Sequence, residues 1–178
     1  MKQYKVGLVL GRFQPFHLGH EYVVKMALEK CEKVIIAIGS SQEMRTQVNP
    51  FSASERTAII TDCLWEYEFG KDYEIIWIED RDTIANDASW GEYVFNKIEH
   101  GLYISPEVVF EGHEQTRQSW YETLGIQRIE IDRGGIEISG TKMREILTNG
   151  QYGNWELYCA TNTKHWYSTL RKILLEEI

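Results

Sequence analysis

The 178-residue chain is short of cysteine, of proline and of positive charge. Its three cysteines, Cys31, Cys63 and Cys159, are odd in number and far apart. That excludes a disulfide framework, a Cys-x-x-Cys redox pair and a zinc ribbon, and leaves free thiols of a reducing compartment. Three prolines and 14 glycines exclude a collagen-like or low-complexity chain. Nineteen basic residues stand against 27 acidic ones, a net charge of −8. A protein that grips nucleic acid with its whole surface is thereby disfavoured, although a small cationic pocket inside an acidic shell is not. The longest apolar runs are about five residues, against the ~20 that a membrane span needs. Met1-Lys2-Gln3-Tyr4-Lys5 leads into a short apolar segment with no signal-peptide pattern. The expectation is a soluble cytoplasmic protein with neither membrane nor nucleic-acid partners.

What is present is enough apolar residue, 43%, to build a core. Lys5–Leu10 is apolar, stops at Gly11 and reads as a buried strand. Val23, Val24, Ala27 and Leu28 recur at helical spacing within 20–30, and Val34–Ile38 is a second buried strand ending at Gly39. Strand, helix and strand at this spacing form a parallel βαβ unit. The alternation continues. Ser52 and Glu55 form a capping box for a helix running to Leu64. Strands are expected at 73–78, 108–110 and 126–131, and helices at 88–98, 115–124, 142–147 and 166–175. The fold class is α/β, with a mostly parallel five-stranded sheet and helices on both faces. Residues 1–150 would form this domain and 151–178 a helical extension packed on it. Trp65, Trp77, Trp120, Trp155 and Trp166 are expected to pack.

Ligands of such sheets lie beyond the C-terminal strand ends, at the switch in strand order. There the chain places Gly11-Arg12, Gly39-Ser40, Gly112-His113 and, after the fifth strand, Ser139. The first segment reads Gly11-Arg12-Phe13-Gln14-Pro15-Phe16-His17-Leu18-Gly19-His20. It is neither a dinucleotide fingerprint nor a Walker loop. His17 and His20 share one face of a helix start, where free N–H groups attract phosphate, and Gly19 lets a ligand approach the backbone. The bland alternative is a pair of satisfied histidines. A zinc site lacks its spacing, and no metal ligands are assigned. The second segment is Ile138-Ser139-Gly140-Thr141-Lys142-Met143-Arg144, a helix start that Ser139 or Thr141 can cap and from which Arg144 projects.

Together, His-x-Gly-His after the first strand and Ile-Ser-x-Thr-x-x-Arg after the fifth resemble the nucleotidyltransferase superfamily. Gly39-Ser40-Ser41-Gln42-Glu43 and Asn49-Pro50-Phe51-Ser52-Ala53-Ser54-Glu55-Arg56, with Trp90 and Tyr93-Val94, are similar to its archaeal-type nicotinamide-mononucleotide adenylyltransferases. The resemblance covers about residues 5 to 155. It implies a Rossmann-like fold and the reaction of nicotinamide mononucleotide (NMN) with ATP to give NAD and pyrophosphate. It further implies Mg²⁺ carried mainly on the ATP phosphates and a homo-oligomer. By that pattern His17, His20 and Arg144 are catalytic. They would bind ATP together with Gly11, Arg12, Phe13, Gly19, Ser139 and Thr141. Gly39, Ser40, Arg45, Asp87, Trp90, Gly112 and His113 would face NMN. Arg45 stands where this branch often has histidine, and His113 where it often has asparagine.

The chemistry fits residues of this kind. The phosphate of NMN has a second pKa of ~6, so it is already a nucleophile at neutral pH. Such a reaction needs cations and N–H donors to position crowded phosphates, and no base. Transfer to nicotinate mononucleotide, phosphopantetheine or glycerol phosphate is an alternative. So is a non-catalytic NAD or NMN sensor.

Overall fold

The computed structural model describes residues 1–81, 87–112, 124–176 and 178, with the backbone alone for Asp87 and Ala88. Five strands form one parallel sheet: β1 (Tyr4–Gly11), β2 (Cys31–Ile38), β3 (Tyr73–Trp77), β4 (Val108–Gly112) and β5 (Gln127–Ile131). Their order is β3-β2-β1-β4-β5, so the chain reverses its direction of travel between β1 and β4. The connecting helices are α1 (Leu18–Lys30), α2 (Ala53–Cys63) and α3 (Asp87–Leu102), followed by α4 (Gly140–Thr148), α5 (Tyr152–Tyr158) and α6 (Tyr167–Glu176). No helix among the described residues is long and apolar enough to cross a membrane.

The central strands are buried on both faces, and their pleat divides the core in two. Val9, Val34, Ile36, Ile38, Val108 and Phe110 point to one face. There they meet Val24 and Leu28 of α1, Ile59 and Ile60 of α2 and Met143 and Leu147 of α4. Leu8, Ile35, Ala37 and Val109 point to the other face, against Val94 and Ile98 of α3. An apolar run without alternation is what a doubly covered parallel strand requires. Trp155 of α5 and Leu170 and Ile173 of α6 lie in the first of these cores.

The capping box at α2 is complete: Ser52 Oγ accepts from Glu55 N at 3.2 Å, and Ser52 N donates to Glu55 Oε2 at 2.8 Å. Two tryptophans correct the packing expectation. Trp65 is 66% exposed and Trp77 50%. Trp77 lies at the end of an edge strand, where its Nε1 donates to Thr57 Oγ1 at 2.9 Å. The helix expected at 115–124 and Trp120 lie outside the described residues, apart from Leu124.

Candidate active site

The reversal between β1 and β4 opens a cleft at the C-terminal end of the sheet, as expected for a doubly wound fold. Helix α1 starts in that cleft. His17 is its N-cap residue, in extended conformation, and its Nδ1 accepts from Gly19 N at 3.2 Å. With Nδ1 an acceptor, the ring proton of neutral His17 resides on Nε2 and is free to donate. The His17 and His20 rings stack with centroids 3.7 Å apart. Phe13 meets His20 edge-on at 5.0 Å, and Phe16 stacks on it at 5.6 Å. This apolar shell explains the titration of both rings. Burial, then the charges of His20 and Arg133, hold the His17 pKa well below the usual imidazole range. Burial and then Arg133 push His20 down to about 3. Both imidazoles are therefore neutral hydrogen-bonding groups at physiological pH. His20 Nδ1 is enclosed and has no hydrogen-bond partner among the described residues.

Helix α4 brings the second motif to the same loop. Ser139 is its N-cap, with Oγ accepting from Lys142 N at 3.2 Å, which leaves Thr141 to another partner. Arg144 Nη2 donates to Thr141 Oγ1 at 3.2 Å, and Arg144 Nη1 donates to the carbonyl of Gln14 at 2.7 Å. Gly140 is required there, because a Cβ would lie 2.9 Å from that same carbonyl. The start of α4 is thus pinned three residues ahead of His17. Burial, and then the nearby Arg12, lower the pKa of Arg144. Arg12 itself is exposed. Phe13 is held in the left-handed region (φ 52°), with its ring against Gly11, where a Cβ would lie 2.7 Å from it.

The acceptor-side residues are placed less uniformly. Gly39 N donates to Gly11 O at 2.9 Å, joining the ends of β2 and β1. Ser40 is buried with φ 47°. Arg45 is tied back to its own loop: Nη1 and Nη2 donate to the two Glu55 carboxylate oxygens at 2.8 and 2.7 Å, and Nη1 also to Pro50 O at 3.0 Å. Trp90 packs half-buried on the second core, its ring 5.5 Å from that of Tyr93. Asp87 begins α3, but its side chain lies outside the described residues, as does the whole of His113. Gly112 ends β4 beside Arg133.

Three contributors escaped the sequence reading. Arg56 is fully buried, and its guanidinium donates to four carbonyls: Ser52 at 3.2 Å, Arg12 at 2.8 Å, Gly39 at 2.8 Å and Ser40 at 3.1 Å. Burial pushes its pKa down to about 10, against the pull of Asp80 and Glu55. It clasps the loops leaving β1 and β2. Glu21, also buried, accepts from Thr161 N at 2.7 Å and pairs with Lys25 at 2.7 Å. With the backbone bridge between His17 and Cys159, it fastens the C-terminal segment behind the histidine helix. The third is Arg133. The only advance signals were an arginine one residue after a capping glutamate, a glutamate on the apolar side of α1 and an arginine before two glycines.

Residues 8–146 match the cytidylyltransferase-like family model. A nicotinamide-nucleotide adenylyltransferase of Thermoplasma volcanium is 35% identical over 152 residues, 83% of this chain and 77% of that one. One from Saccharolobus solfataricus is 46% identical over 88 residues, spanning 49% of this chain and 50% of its own length. Among solved structures, a bifunctional NMN adenylyltransferase/ADP ribose pyrophosphatase of Francisella tularensis superposes with a TM-score of 0.78 at 22% identity, over 98% of this chain and 52% of that one. Its complex with AMP and a manganese ion superposes with a TM-score of 0.65 at 27% identity, over 83% and 42%. This chain therefore spans about half of that bifunctional protein.

Proposed function

The chain belongs to the cytidylyltransferase-like family and, within it, to the nicotinamide-nucleotide adenylyltransferases; we propose that it transfers the adenylyl group of ATP to NMN, giving NAD and pyrophosphate. A phosphate oxygen of NMN attacks the α-phosphorus of ATP in line. The new P–O bond forms as the bond to the β-phosphate bridging oxygen breaks, and that electron pair leaves with pyrophosphate. No proton has to move, because the nucleophile is already an anion. What the protein must supply is position and charge. Neutral His17 and His20 donate N–H groups at the start of α1, where the helix end also favours anions. Arg12 and Arg144 supply cations, and Ser139 and Thr141 orient the start of α4. The observation that carries this reading is the 2.7 Å bond from Arg144 to Gln14 O, which supports taking the two motifs as one site.

The divalent ion enters as part of the nucleotide. Among the described residues no three His, Cys, Asp or Glu side chains converge as a metal cage. The donors at the cleft suit phosphate oxygens rather than a cation. In this proposal Mg²⁺ would ride on ATP oxygens and water and offset phosphate charge there. Gly39, Ser40, Arg45, Asp87, Trp90, Gly112 and His113 form the NMN side of the proposal. It further includes a cytoplasmic homo-oligomer, which light scattering checks.

The test is pyrophosphate release from Mg²⁺ and ATP with NMN, nicotinate mononucleotide or phosphopantetheine. Release with NMN is expected. Release only with phosphopantetheine would make the chain a different transferase, and tight NAD binding without turnover would make it a sensor.

A further inference from the structure

Gln14 stands in the loop between β1 and α1 and is only 4% exposed. Its main-chain carbonyl belongs to the side of the cleft where Arg144 Nη1 donates to it at 2.7 Å. Its side chain serves a different element. Nε2 donates to Phe51 O at 2.8 Å, and Oε1 accepts from Phe51 N at 2.9 Å. The amide thus exchanges two bonds with one residue's main chain, as a neighbouring antiparallel strand would. Phe51 is fully buried and immediately precedes Ser52, the cap of α2. Shielded from water, both bonds are strong, and losing one partner leaves a buried polar group unpaired.

That pair closes a span. The connection from β2 to α2 covers residues 39–52 and carries Ser40 and Arg45, two residues of the proposed acceptor side. At its start, the Arg56 guanidinium ties the carbonyls of Gly39 and Ser40 to that of Arg12. At its end, Gln14 holds Phe51. Between them, Arg45 N and Arg45 Nη1 each donate to Pro50 O at 3.0 Å, so Arg45 is fastened to the residue beside the clamp. Ser40 and Arg45 both take positive φ, 47° and 57°, a shape that local backbone preference does not supply. Both anchors of the span refer it to residues 12–14. We infer that Gln14 is a positioning residue for the acceptor. Its side-chain amide sets where the span stands relative to the start of α1, and with it the distance from the acceptor phosphate to the α-phosphorus of ATP. The inference rests on the adenylyl-transfer reading for the identity of these two substrates. It divides the residue in two: the carbonyl serves the ATP side through Arg144 and survives substitution, whereas the amide serves the acceptor side and does not.

Gln14→Met keeps the length of the side chain and removes both bonds. Amide hydrogen exchange of the full chain without ligand is the first readout. Exchange across residues 41–51 is expected to accelerate about 10- to 100-fold, by loss of one or two buried hydrogen bonds, with α1 and α4 unchanged. The second readout is a split between substrates. Mg²⁺-ATP, titrated calorimetrically without acceptor, should bind as it does to the wild type. At saturating ATP, kcat/KM for NMN should fall about 100-fold, the cost of a ~1 Å misplacement. Gln14→Asn keeps an amide but ends one carbon short of Phe51. It should show the same split, and it decides the question if the methionine variant does not fold. Wild-type exchange across 41–51 in a folded variant would overturn the inference. So would an equal loss of ATP and NMN, which marks a merely structural role. The exchange measurement needs no substrate, so it stands apart from the NMN assay: a wild type that fails to turn over NMN would defeat the functional reading, and the exchange rates would still decide for or against the clamp.

Discussion

Replacing Arg56 by methionine removes a guanidinium that touches no solvent and holds four main-chain carbonyls. Hydrogen bonds to a charged group are each worth about 1.5–3 kcal/mol, and the carbonyls of Gly39 and Ser40 would be left without this donor. The four do not add. Methionine recovers the cost of burying a charge, and Ser52 O keeps its bond from the Arg56 main-chain N–H. A net loss of about 3–5 kcal/mol follows by comparison with other buried charges stripped of their partners. That is a large part of the ~5–15 kcal/mol that holds an ordinary domain folded. The loops leaving β1 and β2 would also lose their common anchor. A displacement of ~1 Å at the Arg12 and Ser40 ends would lower kcat/KM about 100-fold. Urea unfolding with unchanged m-value reads the first effect, and steady-state kinetics at low urea the second. A loss below about 1 kcal/mol, on the scale of a surface substitution, together with unchanged kcat/KM would refute the clasp.

Arg144→Ala and His20→Ala should each lower kcat by about 10²–10³, as does loss of one transition-state donor, with substrate saturating. Near-normal kcat in either would remove that residue from its assigned role. The His20 pKa is depressed on folding, from 6.5 to about 3, so the unfolded chain binds the extra proton. This contribution is therefore complete above about pH 6.5 and is lost as the pH falls toward 3. At pH 5 His20 alone should cost about 1–2 kcal/mol of stability, and His20→Phe should flatten the acid limb of the curve. An unaltered limb would place the acid sensitivity elsewhere. Ser139→Ala should cost about 1 kcal/mol through loss of the α4 cap, and Thr141→Ala should leave that cap in place.

The inner strands β1, β2 and β4 were legible because each holds a short apolar run closed by glycine or a charged residue, whereas the edge strand β5, Gln127–Ile131, shows only Ile129 and Ile131 in alternation. The two motifs were legible because histidine, glycine, serine and arginine stood where strands end. The register of the site was not. That His17 is itself the cap of α1, and that its ring stacks on His20, depends on how Phe13 and Phe16 fold over the loop. Arg56 looks in sequence like any arginine in the first turn of a helix, and only the approach of three loops makes it a buried clasp. Arg133 lies against Gly112 of β4 and Gly19 of α1, and no spacing along the chain encodes that reach. α5 begins without a side-chain cap and spans seven residues, too few for a periodic pattern to stand out.

One co-crystal structure with a non-hydrolysable ATP analogue tests the core of this account. It should show a single polyphosphate touched by the start of α1, through His17 and His20, and by Arg144 from α4. An analogue bound to one of these helix starts while the other faces a separate cavity would contradict it.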